Sequence, residues 1–185
     1  AALTGGTNIN QISFAPICCD VADTATIADI RISLSTTSAA PDGLSTTFAD
    51  NIGADQTLVY SGALSLSSPG GVLGGNPFHY VINLQNGFNY DPGLGNLLLE
   101  VQNISGTDLV SSSTFQFMDA ELTADDGTSR LLSLGGAFVG TGIVDTNGLV
   151  TKFGFVSAAA APEPATLAIM FLGLAGLAIA RRRAV

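Results

Sequence analysis

Residues able to bind a metal ion or activate a nucleophile are sparse in this 185-residue sequence. His79 is the only histidine, so a histidine-based metal cluster is excluded. A Ser-His-Asp triad would have to use this histidine, and no G-x-S-x-G nucleophile motif accompanies it. We therefore expect His79 to be a structural or surface residue, and we expect the protein not to be an enzyme.

Aspartates in turn-like stretches are the remaining candidate ligands. Calcium takes about six to eight oxygen ligands, which carboxylates and asparagine side chains supply. No stretch matches an EF-hand loop, and polar β-turns use the same residue types. We expect no resident cofactor, and Ca²⁺ is the one candidate ion. Its candidate ligands are Asp50, Asp55, Asp125, Asp126 and Asp145.

The charge is distributed unevenly between a body, residues 1–161, and a C-terminal tail. The body holds three basic residues, Arg31, Arg130 and Lys152, against fourteen acidic residues, a net charge of −11. A nucleic-acid-binding protein needs a basic surface, so the class is excluded. The same charge disfavours adsorption to an anionic membrane surface and favours a soluble body outside the cell.

Alternating apolar and polar residues predict many short strands in the body. The sharpest alternation places Phe78, Tyr80, Ile82 and Leu84 on one face. Segment 97–104 is apolar on both faces at its start, which predicts a central strand. Gly, Pro, Asn and Asp clusters separate the segments. The predicted fold is an all-β antiparallel sandwich of jelly-roll type. Its predicted strands are 12–14, 30–34, 58–60, 64–66, 78–84, 97–104, 114–120, 130–134, 137–139 and 149–156.

The tail has the composition of a membrane anchor. Two prolines in Pro162-Glu163-Pro164 favour an extended stretch, and an uncharged run of sixteen residues, 165–180, follows it. As a helix this run spans roughly 24 Å, somewhat short of a bilayer core of about 30 Å. The arginines Arg181, Arg182 and Arg183 can snorkel to the interface, and they predict a cytoplasmic C-terminus with the body outside.

The sequence therefore divides into four parts. We assign residues 1–157 to the β-sandwich ectodomain and residues 158–164 to an Ala/Pro linker with the Pro-Glu-Pro motif. Residues 165–180 form the predicted transmembrane helix, and residues 181–185 form a basic cytoplasmic tail.

In order, spacing and position, the tail resembles the PEP-CTERM sorting signal of Gram-negative bacteria. The residues that carry this resemblance are Pro162, Glu163, Pro164, the hydrophobic run and the arginine cluster. The resemblance implies recognition by an exosortase-type sorting enzyme embedded in the membrane. It also implies cleavage near the Pro-Glu-Pro motif and release of the body to the cell surface or extracellular matrix. A permanent C-terminal anchor that is never cut is the alternative.

From about residue 8 to residue 155, the body resembles the β-rich ectodomains found ahead of such tails. The resemblance is carried by stretches such as IRISLSTT from Ile30, LSTTFADNIG from Leu44 and GNLLLEV from Gly95. It implies export and an uncharacterised surface role, and it contributes no catalytic residue. It also implies further sequence before Ala1, including an edge strand.

Cys18 and Cys19 are adjacent, and no third cysteine exists in the sequence. Export implies an oxidising compartment, in which adjacent cysteines can form a strained, comparatively reducible vicinal disulfide. Two unmodified thiols, an intermolecular disulfide or a metal site are the alternatives. A zinc site would need two further ligands, and His79 is the one available nitrogen ligand.

Two functional hypotheses follow from these features. The first is a non-enzymatic exported envelope protein, structural or adhesive in the extracellular matrix, with exopolysaccharide as a partner. The second is an accessory subunit of an inner-membrane photosynthetic or respiratory complex, with the sandwich on the periplasmic side and the helix in contact with lipid and other subunits. A third, a carbohydrate-binding module, is less favoured because such modules usually use exposed aromatic side chains, and this chain has no Trp and three tyrosines, Tyr60, Tyr80 and Tyr90. The expected location is the inner membrane with the body in the periplasm, or the cell surface or extracellular space after processing.

Overall fold

The structure, a computed structural model, describes residues 7–16, 22–70, 77–104, 118–121, 127–133 and 140–156. Within these residues the regular structure consists of β-strands and one short 3-10 helix, Phe48–Asn51. Every strand pair is antiparallel. The expected all-β class with antiparallel sheets is therefore confirmed.

Two three-stranded sheets form the main part of the described structure. The first has the strand order β10-β1-β4 and the second has the order β3-β2-β5, while β6-β9 and β7-β8 form two small ribbons. The strands are β1 (Thr7–Phe14), β2 (Asp23–Thr37), β3 (Thr57–Ser68), β4 (Tyr80–Tyr90), β5 (Asn96–Asn103), β6 (Ala120–Glu121), β7 (Arg130–Leu132), β8 (Ile143–Asp145), β9 (Gly148–Leu149) and β10 (Thr151–Val156).

β1 shows how the sequence pattern sets the faces of the first sheet. Ile9, Ile12 and Phe14 are buried, although Ile12 follows Ile9 by three positions instead of the two of a regular strand. A register shift between Ile9 and Gln11 leaves Asn10 as an extra residue in the strand. Because side chains alternate with a period of two, this bulge returns Ile12 to the core face. Asn8 and Gln11 are thereby directed to the opposite, outer face.

The buried side chains of both sheets belong to a single hydrophobic cluster. They come from β1 and β4 of the first sheet and from β2 and β3 of the second. Burying a large apolar side chain stabilises a fold by about 1.5–3 kcal/mol. Burial of this shared cluster is therefore the main contribution that holds the two sheets together. Its members are Ile9, Ile12, Phe14, Ile30, Ile32, Leu34, Val59, Leu64, Leu66, Tyr80, Ile82, Phe88 and Tyr90.

An irregular segment of β4 links the edges of the two sheets. Between the pairs Ile9–Phe88 and Gln11–Asn83, β1 contributes one residue whereas β4 contributes residues 84–87. From this bulge the Gln85 side chain reaches Ser61 in β3. Its Oε1 accepts a hydrogen bond from the Ser61 N–H at 3.1 Å, and its Nε2 donates to the Ser61 carbonyl at 2.9 Å. The Gln85 amide thus satisfies both backbone groups of Ser61 as a neighbouring strand would.

The loop between β2 and β3 is fixed by buried polar groups. Asn51 is 4% exposed; its amide donates to the carbonyls of Ser45 and Thr47 and accepts from the Ser45 N–H. Gly53 packs so closely on β2 that an added Cβ would overlap the carbonyl oxygen of Thr36. This contact requires glycine, because a neighbouring backbone atom cannot move aside as a flexible side chain can.

β5 departs from the position that its sequence predicts. Its apolar residues on both faces predict a central strand, yet among the described strands it lies at an end of the β3-β2-β5 sheet. No residue of β5 is fully buried, and Leu97 and Leu99 pack against the margin of the core. Among the described strands, β5 pairs with β2 on one side. The central position predicted for β5 is therefore not borne out among these strands.

Several sequence predictions lie outside the described residues. These are the linker at 158–164, the transmembrane helix at 165–180, the basic tail at 181–185, the predicted strand at 137–139 and most of the predicted strand at 114–120. Among the residues that the structure does describe, no helix is long and apolar enough to cross a membrane.

We predict that Gln85→Met lowers the free energy of unfolding by about 1–2 kcal/mol. The substitution keeps the side-chain length but removes two hydrogen bonds, each with a net contribution of about 0.5–1.5 kcal/mol. Urea denaturation of the purified chain measures this change. Gln56→Met is the matched control, because Gln56 donates to the side chain of Glu100 rather than to backbone; its change should stay within about 0.5 kcal/mol. Equal losses in both variants would contradict the proposed link between the sheets.

Candidate functional site

The residues predicted from the sequence to form sites fall into two groups. One group lies outside the described residues, so the cleavage role of the motif residues, the membrane topology, the vicinal disulfide and part of the calcium hypothesis stay predictions. That group comprises Pro162, Glu163, Pro164, Arg181, Arg182, Arg183, Cys18, Cys19, Asp125 and Asp126. The structure describes His79, Asp50, Asp55 and Asp145.

His79 lies just before β4, which begins at Tyr80 and not at Phe78 as the alternation predicts. The side chain is half-buried, and its Nδ1 lies 3.4 Å from the hydroxyl oxygen of Ser68 at the end of β3. The Ser68 hydroxyl also accepts a hydrogen bond from the Gly70 N–H. These contacts connect the end of β3 to the residue just before β4, which agrees with a structural role for His79.

The carboxylates of Asp50 and Asp55 accept hydrogen bonds from other groups of this chain. Asp50 Oδ2 accepts a hydrogen bond from the Ser45 hydroxyl at 3.0 Å, and Asp55 Oδ1 accepts from the Thr36 N–H at 2.7 Å. Partial desolvation acts to raise the pKa of the Asp55 carboxyl, but the hydrogen bonds from Thr36 outweigh it and lower that pKa below its usual value. Both carboxylates therefore stabilise the β2–β3 loop.

Asp145 forms the salt bridge of the β7-β8 ribbon. Arg130 Nη2 lies 2.8 Å from Asp145 Oδ2, and Arg130 Nε donates to both carboxylate oxygens. The Arg130 guanidinium, aided by a hydrogen bond from the Asn147 N–H, holds the pKa of Asp145 below its usual value. The pair joins residues that are also cross-strand partners, so it reinforces the register of the ribbon.

The described carboxylates do not converge. Nowhere in the part of the chain that the structure describes do three His, Cys, Asp or Glu side chains lie together in an arrangement that could hold a metal ion. Calcium binding in the Asp125-Asp126 turn stays a prediction, because that turn lies outside the described residues.

The outer face of the β10-β1-β4 sheet carries a set of side-chain amides that the sequence prediction missed. Asn8 Nδ2 donates to Asn89 Oδ1 at 2.8 Å, and Gln11 Nε2 donates to Asn83 Oδ1 at 2.9 Å. Each pair bridges β1 and β4 directly across the sheet. We call these four residues the amide face. One signal in the sequence was available, since Asn83 alternates with buried Ile82 and therefore faces away from the core.

In a comparison with protein-family models, residues 160–183 match the PEP-CTERM protein-sorting motif. This chain is therefore a protein with a C-terminal PEP-CTERM sorting motif, which implies export to the cell surface or beyond and processing by an exosortase-type enzyme. Neither the curated proteins nor the solved structures gave a match.

We predict that Arg130→Met lowers the free energy of unfolding at pH 7 by about 1 kcal/mol or less, because both members of the ion pair are partly exposed to solvent. A carboxyl whose pKa is depressed by folding stabilises the protein above its unfolded pKa of about 3.9, and this stabilisation is lost as the pH falls through the folded pKa. The difference between wild type and Arg130→Met should therefore shrink as the pH falls from about 5 towards 3. Urea denaturation at several pH values measures it.

Arg31→Met is the matched control for this prediction. It removes the same charge from β2, where the structure shows no ion pair to Arg31 among the described residues. The control should lose less stability at pH 7, with no corresponding pH dependence. A pH-independent loss in Arg130→Met would contradict the assignment of the low pKa to this ion pair.

Proposed function

We propose that this protein is a non-enzymatic exported protein that acts as a structural or adhesive component of the extracellular matrix. The observation that carries the proposal is the PEP-CTERM sorting motif at residues 160–183 behind an acidic β-rich body. A net charge of −11 on residues 1–161 keeps such a body soluble outside the cell and away from anionic lipid.

The proposed architecture of the body is a β-sandwich of jelly-roll type. The two three-stranded sheets contribute to one buried cluster, as the inner faces of a sandwich do. Side-chain hydrogen bonds between the β4 bulge and β3 support this arrangement at one edge. Such a scaffold presents outer sheet faces and loops for contact with other matrix components.

The proposed route begins with insertion of the tail in the inner membrane. Residues 165–180 span the bilayer in contact with lipid, Arg181 to Arg183 remain in the cytoplasm, and the body lies in the periplasm. An exosortase-type enzyme then cuts near Pro162-Glu163-Pro164. Five residues, 157–161, separate the end of β10 from this motif, and an extended chain of that length reaches at most about 18 Å. The enzyme therefore meets the motif close to the folded body.

The contacts of the described polar residues support a non-enzymatic role. His79 contacts Ser68, Asp50 and Asp55 bind the β2–β3 loop, and Asp145 binds Arg130. Each of these groups has a structural hydrogen bond that accounts for its position. We accordingly assign them to stability of the fold.

We predict that the native extracellular fraction contains a body that ends near Pro162. Intact-mass analysis of the native protein, performed separately on membranes and on extracellular material, measures this directly. Cleavage by the sorting enzyme removes the hydrophobic run and arginines, so the extracellular mass should lack them. The membrane fraction is the internal control and should contain the full-length precursor.

A full-length chain confined to membranes would contradict this prediction. In that case the uncut helix would be a permanent anchor, as in an accessory subunit of an inner-membrane complex. Co-purification of the full-length chain with one detergent-solubilised complex would then identify the assembly.

A further inference from the structure

The first sheet differs in composition from the rest of the acidic body. Its three strands, β1, β4 and β10, contain no acidic residue and one basic residue, Lys152. β1 and β4 together hold seven of the fifteen asparagine and glutamine residues of the whole chain. In a body with a net charge of −11, this sheet is a nearly neutral region rich in amides.

The two β1 members of the amide face, Asn8 and Gln11, lie over glycines of the neighbouring strands. A Cβ at Gly87 in β4 would overlap Asn8 Oδ1, and a Cβ at Gly154 in β10 would lie 3.0 Å from Gln11 Cβ and 3.2 Å from Gln11 Oε1. The absent side chains at these two positions leave the space that the amides occupy. The amide groups are therefore held close to the sheet in fixed orientations, which lowers the entropy lost when they bind a ligand.

The amide face retains unused hydrogen-bonding capacity. A side-chain amide has two donor hydrogens and an acceptor oxygen with two lone pairs. Each of the two pairs uses one hydrogen and one oxygen, so both donors and acceptors remain at each pair. The pairs are separated along β1 by about 7–10 Å, given the rise of about 3.3 Å per residue in a strand. The face thus offers two fixed, neutral binding points in a row.

We propose that the amide face, formed by Asn8, Gln11, Asn83 and Asn89, binds a neutral polysaccharide chain. Sugar hydroxyls both donate and accept hydrogen bonds, which matches the capacity of the amides, and a polymer supplies hydroxyls at repeated intervals. Anionic polymers are disfavoured by the charge of the body. A protein partner usually requires aromatic or apolar anchors. The exposed large apolar residues described in this sheet are Val81, beside Asn83, and Phe155 of β10, whose cross-strand partner Ile9 lies on the core face.

This inference rests on the proposed extracellular role and gives it a ligand class. The test is affinity electrophoresis of the purified full chain in detergent, through gels that contain hydroxyethylcellulose, dextran or galactomannan as neutral probes, or alginate as an anionic probe. We expect retardation by at least one neutral polymer and none by alginate. Retardation at rising polymer concentration gives the dissociation constant.

The double variant Asn83→Ala with Asn89→Ala removes both acceptors of the amide pairs. Because the double variant removes hydrogen-bonding groups from both binding points, we expect binding to weaken about tenfold. The matched control is Gln56→Ala with Gln102→Ala, which removes two amides that both donate to Glu100. Circular dichroism verifies that each variant is folded, and the control should bind like wild type.

Three results would overturn the inference: no retardation of wild type by any neutral polymer, equal weakening in the control variant, or a variant whose oligomeric state changes while its retardation does not. The last result would assign the amide face to contact between copies of the chain. Because the assay uses purified protein, its failure is separable from failure of the export proposal. An extracellular body without affinity would reject only the polysaccharide, whereas affinity in a protein confined to membranes would reject only the matrix role.

Discussion

The shared hydrophobic cluster is the constraint on which the rest of the structure depends. Each three-stranded sheet is apolar on one face, and neither can bury that face alone. Where the edges of β3 and β4 approach each other, the Gln85 amide replaces the missing strand-to-strand hydrogen bonds at Ser61. The core thus determines which faces point inward, and the bulge in β4 determines how the edges meet. The outer faces are left free to vary in polarity and charge.

Much of this fold is predictable from the alternation of residue types. Ile30, Ile32 and Leu34, and likewise Tyr80 and Ile82, are buried as the period of two predicts. The bulges are harder to predict, because Asn10 is an extra residue of β1 relative to β10, and residues 84–87 form a bulge of β4 relative to β1. No local propensity encodes such strand pairing. Among the described strands, the central position predicted for β5 is not borne out for a similar reason: apolar residues on two faces indicate partial burial, not the number of neighbouring strands.

The candidate sites show the same limit. The C-terminal sorting motif is evident in the sequence because its function depends on order and composition along the chain, and the family match at residues 160–183 agrees with it. The amide face is not evident, because Asn8 and Asn89 are 81 residues apart and meet only through strand pairing. The turn aspartates are predicted from the sequence as candidate calcium ligands. In the structure Asp55 binds a backbone N–H and Asp145 binds an arginine, and both contacts depend on tertiary structure.

In the proposed function the tail is the sorting signal and the body makes the contacts outside the cell. The sorting motif is proposed to deliver the folded body there. The most direct measurement is the amount of body in cell-free medium when Pro162, Glu163 and Pro164 are replaced together by alanine in the native host. We expect the variant to accumulate at full length in membranes and the extracellular body to be lost. An unchanged amount of extracellular body in the variant would contradict this proposal.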